Sequence, residues 1–148
     1  MSKRDSNRRV ASPFVIRKVA ETGDIDAFNH VNNARYIDWA NEIAWAHSEA
    51  LGLSMEDYRR IGFGCVVWRH EFDYVAPVIL GDEIDVATWI AENDNRVRLV
   101  RAYEMRKTTT GAVVFRGRTK FVCIEMASGK PARMPKEFID AYRPQIGE

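Results

Sequence analysis

Two kinds of periodicity divide the chain. From Asn33 the apolar positions recur at helical spacing: Tyr36, Ala40, Ile43, Ala44, His47 and Leu51 fall on one stripe, and Ile37, Trp39 and Trp45 widen it. A stripe this broad predicts a helix from Asn33 to Leu51 that is surrounded on most sides. Asn32 or Asn33 is placed to cap its start, and Gly52 can take the left-handed conformation that ends it. Beyond Ser54 to Gly64, a polar stretch read as a loop, the period becomes two. Val66, Trp68, His70, Phe72 and Tyr74 alternate with Val67, Arg69, Glu71 and Asp73. The same alternation returns in Ile84, Val86, Thr88 and Ile90, in Val97, Leu99, Arg101, Tyr103 and Met105, and from Val113 to Cys123. Turn residues at Pro77 to Asp82, Asn93-Asp94-Asn95 and Thr110-Gly111 suit short connections. Pro13 to Val19 adds a strand ahead of the helix, and Lys136 to Tyr142 a short final helix. The order β-α-β-β-β-β predicts an α+β domain, with an antiparallel sheet of about five strands wrapped around one long central helix.

Composition agrees with one domain: 148 residues, 46% of them hydrophobic, suffice for a single core. No apolar run approaches the roughly 20 residues that cross a bilayer. Residues 1–12 read as a flexible polar arm ahead of a single domain at 13–148. That arm has no apolar segment of a secretory signal, so the expected location is cytoplasmic. Four of the 22 Lys and Arg and one of the 21 Asp and Glu lie in its first ten residues, which leaves the rest slightly acidic. Nucleic acid is therefore not the expected partner. Cys65 and Cys123 stand far apart, with no CxxC and no His pair, and read as small buried side chains rather than a disulfide or metal site.

The segment with chemistry is Gly23 to Tyr36, GDIDAFNHVNNARY, which places two Asp, three Asn and a His directly before the helix. Helix-start amides point outward unpaired and carry partial positive charge, so a carbonyl oxygen lodged there is polarised as negative charge develops. A carboxylate facing that spot can attack the carbonyl or deprotonate a water, and Asp26 is the candidate. His30 and Asn33 can orient that water or the substrate. The same residues also admit a structural reading, with Asp24 and Asp26 holding a turn and an Asn capping the helix. His47 on the apolar stripe and His70 in a strand read as structural, and Glu42 as a solvated or interface carboxylate. With no GxSxG in the chain, a serine hydrolase is disfavoured.

The run GDIDAFNHVNNARYIDW resembles the signature of hot-dog-fold thioesterases of the 4-hydroxybenzoyl-CoA thioesterase-like group, and also the matching stretch of plant acyl-ACP thioesterases. The resemblance in element order covers about Pro13 to Tyr142. It implies a hot-dog fold and hydrolysis of an acyl-CoA to a carboxylic acid and CoA. It makes Asp26 the catalytic carboxylate, with the thioester carbonyl at the start of the central helix. His30 and Asn33 would support it, and Tyr36 would line the site. Asn33 stands where one bacterial branch has a His, and Phe28 where the plant enzymes have an Asn. The nucleotide of similar thioesterases lies near the turn matching Asn93 to Arg98, which makes Arg96 and Arg98 the expected phosphate ligands. An acyl tail needs an apolar slot, and Trp39, Phe63, Val67 and Trp68 suit its walls, though core packing explains them equally well. No metal or cofactor is implied beyond coenzyme A as part of the substrate. The family dimerises into a continuous sheet, commonly as a tetramer, so a homodimer assembling to a homotetramer is expected. An acyl-ACP thioesterase and a noncatalytic acyl-CoA binding module are the alternatives.

Overall fold

The structure is a computed structural model, and it describes residues 12–145. The expected arm therefore lies outside the described residues except for its last position. Strand β1 (Phe14–Val19) leads through a 3-10 turn at Thr22–Asp24 to α1 (Asn33–Ala50) and α2 (Met55–Ile61). Strands β2 (Phe63–Tyr74), β3 (Glu83–Asn93), β4 (Arg98–Lys107) and β5 (Val113–Glu125) follow, and α3 (Lys136–Ala141) closes the chain. The five strands form one antiparallel sheet in the order β1-β3-β4-β5-β2, so β1 and β2 are its edges.

The alternation read from the sequence sets the inner face. Ile84, Val86, Tyr103, Met105 and Phe115 are buried there against Tyr36, Trp39, Ala40 and Ile43 of α1. A second cluster, under α2 and α3, joins Leu53, Tyr58, Ile90, Leu99, Cys123, Phe138 and Tyr142. Asn32 is the cap of α1, its side chain accepting from the Ala34 amide at 2.9 Å. Gly52, at φ +84°, turns the chain away from the other end.

Two expectations need correction. Ser54 to Gly64 is not a loop: Ser54 and Asp57 form a reciprocal capping box that starts α2, and Tyr58 buries itself as the helix's one anchor. The segment has too few apolar residues to show a helical stripe, which is why its polarity read as coil. Nor is α1 surrounded. Arg35, Asp38, Asn41, Glu42, Trp45 and Glu49 lie exposed along one flank, because the sheet covers only one side of the helix. The two cysteines sit directly across from each other on β2 and β5 as free thiols, Cys123 buried and Cys65 half-buried.

Candidate active site

The loop between the 3-10 turn and α1 is built by its own polar side chains. Ile25 and Val31 pair as an isolated bridge, and the Asp26 amide donates to the His30 carbonyl at 2.9 Å. Asn29 takes a left-handed φ of 62°, a conformation Asn tolerates better than most residues. Asp26 Oδ1 accepts from the Phe28 amide at 2.9 Å, which fixes the carboxylate at the neck of this loop and leaves Oδ2 without a partner among the described residues. Asp24 does different work: it accepts from the Glu21 amide at 2.9 Å and pairs with Arg35 at 3.5 Å.

At the helix mouth, Asn32 takes the Ala34 amide through its side chain and the Arg35 amide, at 2.9 Å, through its carbonyl. The Asn33 amide has no hydrogen-bond partner among the described residues. The mouth is held rigid from below. Tyr36 is buried, stacks on Phe115 with ring centroids 5.4 Å apart, and meets the edge of Tyr74 at 5.3 Å. Burial pushes the Tyr36 phenol up, so it stays protonated. Tyr74 Oη donates to the Asn33 carbonyl at 3.3 Å, which ties β2 to the helix start. Asp26 is half-buried, and His30 and Asn33 are exposed.

The other expected residues fall elsewhere. A β-bulge between Val67 and Arg69 turns Trp68 outward, where the cations of Arg98 and Lys120 lie over its ring, 5.8 and 5.7 Å from the centre. These three line a cavity of about 460 Å³ with Asn93 and Asp94. Asp26, His30 and Asn33 are not among its walls. Arg96 lines a separate, open hollow with Pro131 and Arg133, so the structure divides the two arginines that spacing had joined. Of the expected acyl-slot residues, only Val67 lines a cavity along α1. Trp39 is packed in the core, Phe63 packs under α2 and Trp68 faces the outer hollow. Glu42 pairs with Lys18 at 2.9 Å, as a solvated flank residue does.

Arg101 was not among the residues the sequence singled out, although a signal was present: it stands in phase with Leu99, Tyr103 and Met105 on the apolar face of β4. It is buried, and Nη1 donates to His47 Nδ1 at 2.8 Å. Ser48 Oγ, Tyr142 Oη and Tyr58 Oη continue the network through contacts of 2.9 and 2.5 Å.

Comparison with known proteins places this geometry. The sequence model of the Thioesterase-like superfamily matches residues 20–142, and the chain belongs to that family. A search of curated proteins gave no match. Among solved structures, a 1,4-dihydroxy-2-naphthoyl-CoA thioesterase from Synechocystis is 21% identical, with a TM-score of 0.79 over 88% of this chain and 96% of its own. A Staphylococcus aureus protein solved in complex with CoA is 18% identical, with a TM-score of 0.82 over 95% and 91%. The YbaW probable thioesterase of Escherichia coli is 20% identical, with a TM-score of 0.75 over 87% and 98%. The fold is the hot-dog fold that the signature resembled. No helix among the described residues is long and apolar enough to cross a membrane.

Proposed function

We propose that the protein hydrolyses acyl-CoA thioesters, releasing a carboxylic acid and CoA, with Asp26 as the catalytic carboxylate. The observation that carries this reading is the pairing, on one short loop, of a carboxylate with a free oxygen and a helix mouth with an open amide. The thioester carbonyl binds at the Asn33 amide, where the helix dipole favours the developing oxyanion. Asp26 then either attacks the carbonyl carbon or takes a proton from the attacking water; both routes need the same placement. The thiolate of CoA leaves and is protonated, and water supplies the oxygen of the acid. His30 orients the water, and Tyr36 holds the helix start behind it.

For the nucleotide, the aromatic plane of Trp68 beside Arg98 and Lys120 offers stacking and phosphate pairing together. In a single chain this hollow has no wall from the Asp26 loop. A second subunit brings them into one site. The edge strand β2 supports such an assembly: it is 12 residues long, unpaired on its outer side, and exposes Val66, Val67, Trp68 and Tyr74. An edge of this kind, left open, is a template for strand pairing.

The test is thiol release from a panel of short, long and aromatic acyl-CoAs by wild type and Asp26→Asn, at matched folding and matched mass by light scattering. Wild type turns over at least one thioester as an oligomer, and the variant is slower by about 10²- to 10⁴-fold. A wild type that never releases thiol, or an Asp26→Asn enzyme of full activity, ends this reading; a monomeric wild type that turns over ends the two-subunit site.

A further inference from the structure

At the far end of α1 from Asp26 lies a cavity of about 140 Å³. Ala44, Trp45, Val67 and Phe121 give it apolar walls, and its floor is polar: Arg101, Ser48, Tyr58 and Tyr142. Arg101 is 2% exposed, yet it makes no ion pair among the described residues. Its guanidinium donates from Nη1 to His47 Nδ1 at 2.8 Å and Thr88 Oγ1 at 3.2 Å, and from Nη2 to Ser48 Oγ at 3.3 Å. Every one of these acceptors is neutral. Burial, and the charge of Arg101 itself, hold the His47 imidazole near a pKa of about 4. Besides His47, the ionisable groups that act on the charge of the guanidinium are Tyr103, Tyr142, Tyr58 and Cys65. Burial pushes the three phenols up, and the thiol is raised by its hydrogen bond to Cys123 and by burial. All four are uncharged near neutral pH.

A guanidinium has five N–H donors, and these bonds use three. A buried cation without a counter-ion is among the most costly arrangements in a core, and the partial negative charge of the α1 C-terminus offsets only part of it. Such a group beside a cavity has the chemistry of an anion receptor. Arginine in particular matches a carboxylate through two parallel N–H···O bonds.

We propose that this cavity receives a carboxylate, and that the carboxylate is the far end of the acyl chain, so that the substrate class is an ω-carboxyacyl thioester. The proposal rests on the thioesterase reading above. Asn33, Ile37, Asn41, Ala44 and Ser48 follow one another at spacings of three and four and so share one edge of α1. Strand β2 flanks that edge, with Tyr74 bonded to Asn33 at one end and Val67 and Cys65 lining the cavity at the other. At 1.5 Å per residue, Asn41 lies about 12 Å and Ala44 about 16 Å beyond Asn33. An extended chain covers roughly 3.5 Å in three bonds, so on the order of 10 to 14 bonds join a carbonyl at the helix mouth to a carboxylate at Arg101. The volume suits this ending. It is close to the roughly 150 Å³ that accommodates a benzene ring, which is room for a terminal carboxylate and a few methylenes. A methyl-ended chain fills the apolar walls but leaves the guanidinium unpaired.

The test compares kcat/KM for dodecanedioyl-CoA, lauroyl-CoA and the ω-methyl ester of dodecanedioyl-CoA, which removes the distal charge and adds one methyl group. Wild type favours the free ω-carboxylate over both others by at least about 10-fold, the worth of a buried charge-assisted bond. Arg101→Met brings the ratio to about one. Equal use of the three thioesters by wild type overturns the proposal and needs no variant; so does a ratio that survives in Arg101→Met. Thermal shift with the free acids separates the sources of carboxylate. Stabilisation by dodecanedioate that exceeds laurate and vanishes in Arg101→Met supports the distal group. Equal stabilisation by laurate, also lost in the variant, means the site takes the head of a free acid and overturns the substrate class. Dodecanedioate binding lost in the variant, in a protein that releases no thiol from any thioester, supports the carboxylate site while ending the thioesterase reading.

Discussion

The two ends of α1 handle charge in opposite ways. At the N-terminus a carboxylate, Asp26, stands half-exposed on a loop whose bonds are almost all local. At the C-terminus a guanidinium, Arg101 of β4, is buried among neutral acceptors contributed by α1 and β3. The helix dipole favours both signs where they occur. Only the first keeps contact with water, which a hydrolytic reaction needs. The second is enclosed, so its cost is borne by the whole domain, and a change there registers in stability as much as in activity.

The largest effect that would sharpen this contrast is in pH. His47 is buried and neutral, with its pKa lowered from 6.5 to about 4 by desolvation and by Arg101. Its depressed folded-state value means that the unfolded chain binds the extra proton first as pH falls. Stability is therefore intact above about 6.5 and declines between 6.5 and about 4, by about 3 kcal/mol if the whole shift is expressed. Unfolding curves of wild type and His47→Gln across this window check it: the variant shows the shallower slope. Equal slopes would mean that the Arg101 end is less enclosed than its contacts imply.

Next in size is the hydroxyl chain. Tyr142 Oη lies 2.9 Å from Ser48 Oγ and 2.5 Å from Tyr58 Oη, all buried. Tyr142→Phe leaves two buried hydroxyls short of a partner and costs about 1 to 3 kcal/mol by chemical denaturation, with no direct effect at Asp26. A loss confined to turnover at unchanged stability would break the division between the ends. The smallest effect belongs to the N-terminal end. Asn32→Ala removes the cap on the Ala34 amide and lowers stability by about 1 kcal/mol. It also frees a second amide at the mouth, so its effect on kcat exceeds what the stability loss explains.

The reading of α1 from Asn33, its stop at Gly52 and the four later strands needed only local pattern, because side-chain period and turn residues act over a few positions. The polarity of the Asp26 segment was equally legible, since its bonds are short-range. The helix α2 was not, because a capping box and one aromatic anchor leave no periodic trace. The nucleotide side was only half legible: spacing on a strand placed Arg96 and Arg98 together, while the bulge at Trp68 and the course of the Asn93 to Val97 turn sent them to different hollows.

By itself, then, the sequence determined the order of the strands around α1, the buried stripe of that helix and the loop that carries the candidate carboxylate. These follow from interactions between near neighbours. Tertiary structure alone decided that Arg101, a polar intruder on an apolar strand face, would meet His47, Ser48 and Thr88 beside a cavity. That arrangement joins residues up to 54 positions apart, and no local rule specifies which distant side chains will share a desolvated space.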